Sequence, residues 1–279
     1  MARLPIHFAP LQGYTEDVFR RAHHQVFGGV ATYYSPFIRL EHGDVRSKDL
    51  RDLRAEHNAG IPVTPQAIAA SAEELERLID VIREQGYHRL DLNMGCPFPL
   101  QTKHGRGAGL LPHPDRVEAL CRLMASTPDI EFSVKMRLGL QHPDEWKPLL
   151  PLLNATPLRH ITLHPRIASQ QYRGTVDRTS FAAFLDEARH PVVFNGDIVA
   201  TEQIGALEKE FPTLAGVMIG RGLLARPWLA LEYANDTTLS AEQRLDGLRK
   251  MHAHIRAAYE RIIPGSASLH HKMRTLWDY

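Results

Sequence analysis

Val192-Val193-Phe194-Asn195-Gly196-Asp197 and Gly216-Val217-Met218-Ile219-Gly220-Arg221-Gly222 flank a stretch of helical period, Thr201–Phe211. Each flanking segment opens as a short apolar run of strand type and passes at once into glycine. Strand, helix, strand is the repeating unit of an α/β fold, and the same alternation extends backwards through the chain. Apolar or β-branched runs recur at Ile6–Ala9, Val30–Ser35, Ile61–Gln66, Arg89–Asn93, Phe132–Lys135 and His160–His164. Between them, Ser71–Gln85 places Leu75, Leu78, Ile79 and Ile82 on one helical face, and Asp115–Ala125 does the same with Val117, Leu120, Cys121 and Met124. Ser71 reads as a helix cap, and Thr201 with Glu202 reads similarly. Eight such units in about 235 residues predict a (β/α)8 TIM barrel. An open doubly wound sheet is the competing architecture. It would carry a glycine-rich dinucleotide turn after its first strand, and Ala9-Pro10-Leu11-Gln12-Gly13 is not one.

From about Ser240 the strands stop. Residues 240–263 and 267–279 read as two helices parted by Pro264-Gly265, with Leu245, Leu248, Met251 and Ile255 able to share a face. The expected organisation is a catalytic barrel over residues 1–238 and a short helical appendage over 239–279.

The 279 residues are 43% hydrophobic, enough for a barrel core without staples. A formal charge of +1 gives no global basic field, so any nucleic-acid partner must be met by a local patch. Cys96 and Cys121 do not form a disulfide framework, and neither an apolar leader nor an apolar run of ~18 residues is present. The expectation is a cytoplasmic protein without a membrane span.

A barrel keeps its chemistry at the C-terminal ends of its strands. There the chain places Gln12, Gln66, Asn93, Lys135, His164, Asn195 and Gly220, so a polar or small functional group closes seven of the eight strands. The loops after strands seven and eight suit a phosphate: Gly196 and the Gly220-Arg221-Gly222 run let the backbone approach closely, and Arg221 adds a planar charged fork. Lys135 could face a flavin's N1–C2 edge or form a Schiff base, and by itself it also reads as a solvated strand end. His164 suits a cofactor hydrogen bond, acid–base work or a plain structural contact. Cys96, between Gly95 and Pro97 directly after a strand, is placed to donate a proton, since an unperturbed thiol titrates near ~8.5. Cys121, on an apolar helix face, reads as inert core. No Cys-x-x-Cys or His-Glu-x-x-His pattern suggests zinc.

Six segments together resemble the tRNA-dihydrouridine synthase family. They are Ala9–Thr15 with Phe19-Arg20; Asp91–Pro97 with Gly107–Leu111; Val134–Gly139; His164–Arg166 with Gln171–Gly174; Asn195–Ile198; and Val217–Gly222. The resemblance runs from about residue 6 to 230, with the cysteine loop its most specific piece. It implies FMN at the barrel mouth, with Pro10, Leu11 and Gln12 along the isoalloxazine and Gln66 and Lys135 on its polar edge. His164, Asn195, Gly196, Asp197, Gly220 and Arg221 would hold the ribityl chain and phosphate. It further implies reduction by NADPH, hydride transfer to C6 of a uridine in tRNA, proton delivery to C5 by Cys96, and a uracil steadied by Asn93 and Arg166. The appendage, with Arg244, Arg249, Lys250, Arg256, Arg261, Lys272 and Arg274, would bind RNA. The chain stops at Tyr279, within what resembles the middle of the family's C-terminal helical domain, so a shortened or truncated appendage is expected. A monomer is expected.

Other readings stay open at this level. A flavin barrel acting on a free pyrimidine would share the cysteine loop without needing a basic appendage. A flavin-free lyase would use Lys135 as a Schiff base, and a non-catalytic RNA-binding relic would keep the surface alone.

Overall fold

The computed structural model describes residues 3–278. Its strands in chain order are β1 (Ile6–Phe8), β2 (Thr32–Tyr34), β3 (Leu40–Glu41), β4 (Asp44–Val45), β5 (Val63–Thr64), β6 (Gln66–Ala67), β7 (Arg89–Met94), β8 (Glu131–Gly139), β9 (Leu158–Ile167), β10 (Val192–Asn195) and β11 (Gly216–Ile219). Nine of them form one parallel sheet in the order β5-β2-β1-β11-β10-β9-β8-β7-β6. The two ends of that order, β5 and β6, are separated only by Pro65. Proline has no N–H to give to a ladder and breaks the strand into halves. The Pro65 carbonyl still accepts from Asp91 N at 2.9 Å, so the halves act as one strand and the sheet closes into the eight-stranded barrel. The expected strand Ile61–Gln66 is thus two short pieces shifted toward Ala67.

Strands β8 and β9 run further than their sequence ends suggested, to Gly139 and Ile167, pairing across two register shifts. A reading that stops at the first charged residue ends them at Lys135 and His164. The strands continue because the guanidiniums of Arg137 and Arg166 are themselves buried and bonded. The small β3–β4 hairpin was not anticipated. Each strand is two residues long, and its turn, His42-Gly43, has positive φ at both positions (50° and 94°) without the usual Asn-Gly signature.

The helices obey their periodicity. Ala72–Glu84 buries Leu75, Leu78, Ile79 and Ile82 on the barrel, each contributing about 1.5–3 kcal/mol on full burial. Ser71 Oγ accepts from Glu74 N at 3.3 Å, as a cap should. Pro114–Ala125 opens on its proline and buries Val117, Leu120, Cys121 and Met124. Thr201 is not a cap: the helix Thr201–Glu210 follows Ala200, and Gln203 Oε1 reaches back to Val199 N (2.7 Å) and Ala200 N (3.0 Å) instead.

Beyond the barrel, Ala241–Glu260 and Ser266–Thr275 form the two expected helices, the second following Gly265 at φ +89°. Met251, Ile255 and Tyr259 bury against the barrel's first helix, Asp17–Val26. Gly247 admits the Phe27 ring, which a Cβ there would meet at 2.6 Å. No helix among the described residues is long and apolar enough to cross a membrane.

Candidate active site

A cavity of about 900 Å³ opens at the C-terminal ends of the strands. Pro10, Leu11, Gln12, Asn93, Cys96, Lys135, His164, Asn195, Gly196, Asp197, Gly220 and Arg221 all line it. Gln66 and Arg166 do not. Both are buried behind the wall, with their polar atoms engaged by protein. Gln66 Nε2 donates to Asp91 Oδ2 at 2.7 Å and its Oε1 accepts from Asn93 Nδ2 at 2.8 Å. Arg166 donates to Asp197, to the Gly174 carbonyl and to His164 Nε2 at 3.1 Å. That last bond leaves the His164 proton on Nδ1.

The cysteine loop is held from two sides. Asn93 Oδ1 accepts from Gly95 N (3.0 Å) and Cys96 N (2.8 Å), while the Cys96 carbonyl accepts from Ala108 N (3.1 Å). Behind it, Gly107 sits at φ +59°, where a Cβ would meet Cys96 Cβ at 2.9 Å. Cys96 is only 9% exposed, and burial pushes its thiol up, so it stays protonated near neutrality. It is thus less open than a loop position suggested, but it still faces the cavity.

The first loop, Leu11–Tyr14, is fixed by Leu11 N donating to Thr15 Oγ1 at 2.8 Å and by Lys272 Nζ donating to the Gly13 carbonyl at 2.8 Å. Opposite, Asn195 Nδ2 donates to the Met218 carbonyl at 2.7 Å. Asp197, at φ +52°, stands between Arg166 and Arg221. Arg221 lies over the Tyr172 ring at 4.4 Å.

Charge in the cavity is unbalanced. Lys135, Arg137 and Arg221 line its interior against one carboxylate, Asp197. Burial, aided by Arg137, draws Lys135 down to about 8, and burial draws Arg137 to about 10. Burial and the same cations push His164 far below its usual range, so it is neutral. An anionic ligand would offset this surplus, and the Gly196 and Gly220 backbones line the same cavity.

The rim was missed by the sequence reading. Arg39, Arg46 and Lys48 stand on one side, each already paired with a carboxylate (Glu41, Asp49 and Glu16) but with N–H groups to spare. On the other side Phe98 and Leu100 are 52% and 66% exposed. Among the described residues six large hydrophobic side chains are exposed, and four of them (Phe98, Leu100, Tyr172 and Val199) line this cavity. The signal available was Phe98-Pro99-Leu100, an apolar run in a loop just past the cysteine. Two appendage cations are engaged within the protein. Arg244 is held by Glu232 and Trp228, and Lys272 by Glu16 and Gly13.

A family model described as dihydrouridine synthase (Dus) matches residues 7–279. A probable tRNA-dihydrouridine synthase of Rhodobacter capsulatus is 28% identical over 270 residues, covering 93% of this chain and 80% of that protein. The tRNA-dihydrouridine synthase B of Pasteurella multocida is 25% identical over 80% of this chain and 67% of its own. Among solved structures, the old yellow enzyme of Trypanosoma cruzi superposes with a TM-score of 0.59 at 10% identity, covering 86% of this chain and 91% of that one, a likeness of fold.

Proposed function

This chain belongs to the dihydrouridine synthase family of oxidoreductases, and on that premise we propose that it reduces uridines in tRNA to 5,6-dihydrouridine with FMN and NAD(P)H. The observation that carries the reading is the cavity itself: a surplus of interior cations and a buried, protonated thiol face the same space. FMN fits that donor set. Lys135 and the His164 Nδ1–H would face its ring and side chain. Asn195, Gly196, Asp197, Gly220 and Arg221 would surround the ribityl chain and phosphate, with Pro10, Leu11 and Gln12 along the ring. Flavin held by these residues and reduced by NAD(P)H would supply the hydride chemistry for the uracil C5–C6 bond.

The chain's own residues do the rest. Cys96 holds a proton on Sγ for delivery to C5, and its raised pKa keeps that proton in place at neutral pH. Asn93 offers its remaining N–H to a uracil carbonyl. Gln66 and Arg166 act from behind the wall, on Asn93 and on His164 and Asp197, rather than on a ligand. The rim favours RNA over a free pyrimidine: exposed apolar side chains suit stacked bases, and Arg39, Arg46 and Lys48 suit phosphates. Extruding a uridine from its stack costs a few kcal/mol, for which such a surface can compensate. In the segment 239–279 the cations left for RNA include Arg249, Arg261 and Arg274. The protein is proposed to work as a cytoplasmic monomer.

The test is an anaerobic absorption spectrum before and after NADPH, followed by tRNA, for wild type and Cys96→Ala. Both should show flavin bands that bleach, and only the wild type should form dihydrouridine efficiently, the variant losing about 10²–10⁴-fold. A colourless protein that takes up no FMN would remove the cofactor reading. Wild-type turnover in Cys96→Ala would remove the thiol from the reaction. Membership of an oxidoreductase family gives no support to Lys135 as a Schiff-base lyase.

A further inference from the structure

One carboxylate lies wholly inside the barrel below the cavity, and the mechanism above does not use it. Asp91 is in the middle of β7, fully buried, with Gln66 of β6 and Ser133 of β8 as its direct register partners. Residues paired in a ladder share a face, and Asn93, two positions along β7, shares it too. The side chains therefore converge inside the barrel. Ser133 Oγ donates to Asp91 Oδ1 at 2.6 Å and Gln66 Nε2 donates to Oδ2 at 2.7 Å.

We infer that Asp91 is a positioning residue for Cys96, setting the direction of a hydrogen-bond chain that runs through Gln66 and Asn93. The inference rests on Cys96 being the proton donor proposed above. Burial raises the Asp91 carboxyl to about 6, so at neutral pH it is mostly ionised, and an ionised carboxylate only accepts. Gln66 must then turn its NH2 to Asp91, which leaves its Oε1 to accept from Asn93 Nδ2 at 2.8 Å. Asn93 must in turn present its Oδ1 to the loop, where it accepts from Gly95 N at 3.0 Å and Cys96 N at 2.8 Å. Neither amide can rotate by itself without setting donor against donor or acceptor against acceptor. Buried groups left in that state are costly, so the chain flips as a unit or not at all. The chain is thus held in one sense from both ends, by the acceptor at Asp91 and by the two backbone N–H donors of the cysteine loop.

Asp91→Asn keeps the shape and removes the fixed polarity. The amide introduced there can present either group to Gln66, so only the Gly95 and Cys96 N–H groups are left to hold the chain in its working sense. The arrangement that turns the Asn93 NH2 against them is no longer blocked at the far end. With enzyme reduced beforehand, single-turnover dihydrouridine formation should slow about 10- to 100-fold, the effect of misplacing a reacting group by up to ~1 Å. Asn93 is the register partner of Lys135 and the Asp91 charge supports the Lys135 ammonium, so flavin reduction by NADPH is measured alongside; it should slow by much less than dihydrouridine formation does. The swap Gln66→Glu/Asp91→Asn moves the acceptor-only group one place along: the carboxylate now on β6 accepts both from the introduced amide and from Asn93. It should recover most of the lost rate. Amide hydrogen exchange at Gly95 and Cys96 reads the same chain without turnover. It should accelerate in Asp91→Asn and return toward wild type in the swap.

Should Asp91→Asn fail to fold, Gln66→Met severs the chain at its middle and is read in the same two ways. Exchange at Gly95 and Cys96 unchanged in the single variants, or a swap no better than Asp91→Asn, would overturn the inference. Exchange that follows the expected pattern in a protein making no dihydrouridine would keep the hydrogen-bond chain and remove the proposed reaction instead.

Discussion

Gly107→Ala probes how rigidly the cysteine is held. At φ +59° an L-residue costs about 1–2 kcal/mol over glycine. The new methyl would lie 2.9 Å from both Cys96 Cβ and the Cys96 carbonyl oxygen, and 3.2 Å from Cys96 N. Carbon atoms prefer about 3.5–4.0 Å, so something must yield by roughly 0.6–1 Å. Overpacking of this kind costs about 1–3 kcal/mol, for a total of about 2–5 kcal/mol. The groups in the way are the backbone and Cβ of Cys96 itself, so the displacement falls on the thiol. Two readouts follow. Thermal melting should drop by about 4–10 °C, at roughly 2 °C per kcal/mol for a chain of this size. Dihydrouridine formation from reduced enzyme should fall by up to about 100-fold, with flavin content unchanged. A variant that melts and turns over like wild type would mean that the loop accommodates the methyl and that Gly107 does not set the place of Cys96.

Two further outcomes depend on titrating groups. Lys135, drawn down to about 8 by burial, is cationic at pH 7 and loses its charge as pH rises through 8. Stopped-flow flavin reduction by NADPH should therefore slow above pH 8 in wild type, and Lys135→Met should be slow throughout without that limb; matching profiles would argue against a role for the ammonium. Burial alone would raise Glu16, but Lys272 and Lys48, each at 2.9 Å, outweigh it and hold it at about 2. A carboxylate depressed from 4.5 contributes stability above that pH, on the order of 3 kcal/mol, and loses it as pH falls toward 2. Urea melts should show Glu16→Gln less stable than wild type at pH 7 and nearer to it at pH 3, and an equal gap at both would refute the assignment.

The barrel was legible because alternation of short apolar runs with amphipathic helices is a backbone-level signal, and the strand ends carried enough polar residues to locate the mouth. Where reading failed, the cause was side-chain burial. Arg137 and Arg166 look like terminators of strands, yet the strands go on past them because the guanidiniums turn inward and satisfy loop carbonyls. Gln66 stands at a strand end, as a ligand-binding residue would, but its amide is taken up by Asp91 and Asn93. The clue was Asp91 itself, a charge in the middle of the strand Arg89–Met94, which must find partners inside the barrel. Lys272 and Arg244 look like surface cations on a helix, and nothing local announces that Glu16 and Glu232 wait for them elsewhere in the chain.

The bond from Lys272 to the Gly13 carbonyl has a consequence for biosynthesis. Gly13 leaves the ribosome 259 residues ahead of Lys272, and β1 in turn waits for β11 to close the barrel. The mouth loop is therefore completed only after every barrel strand and both appendage helices have emerged. Until then the nascent chain carries an unfinished mouth, and a ligand of that mouth would meet its complete loop only after Lys272 has emerged.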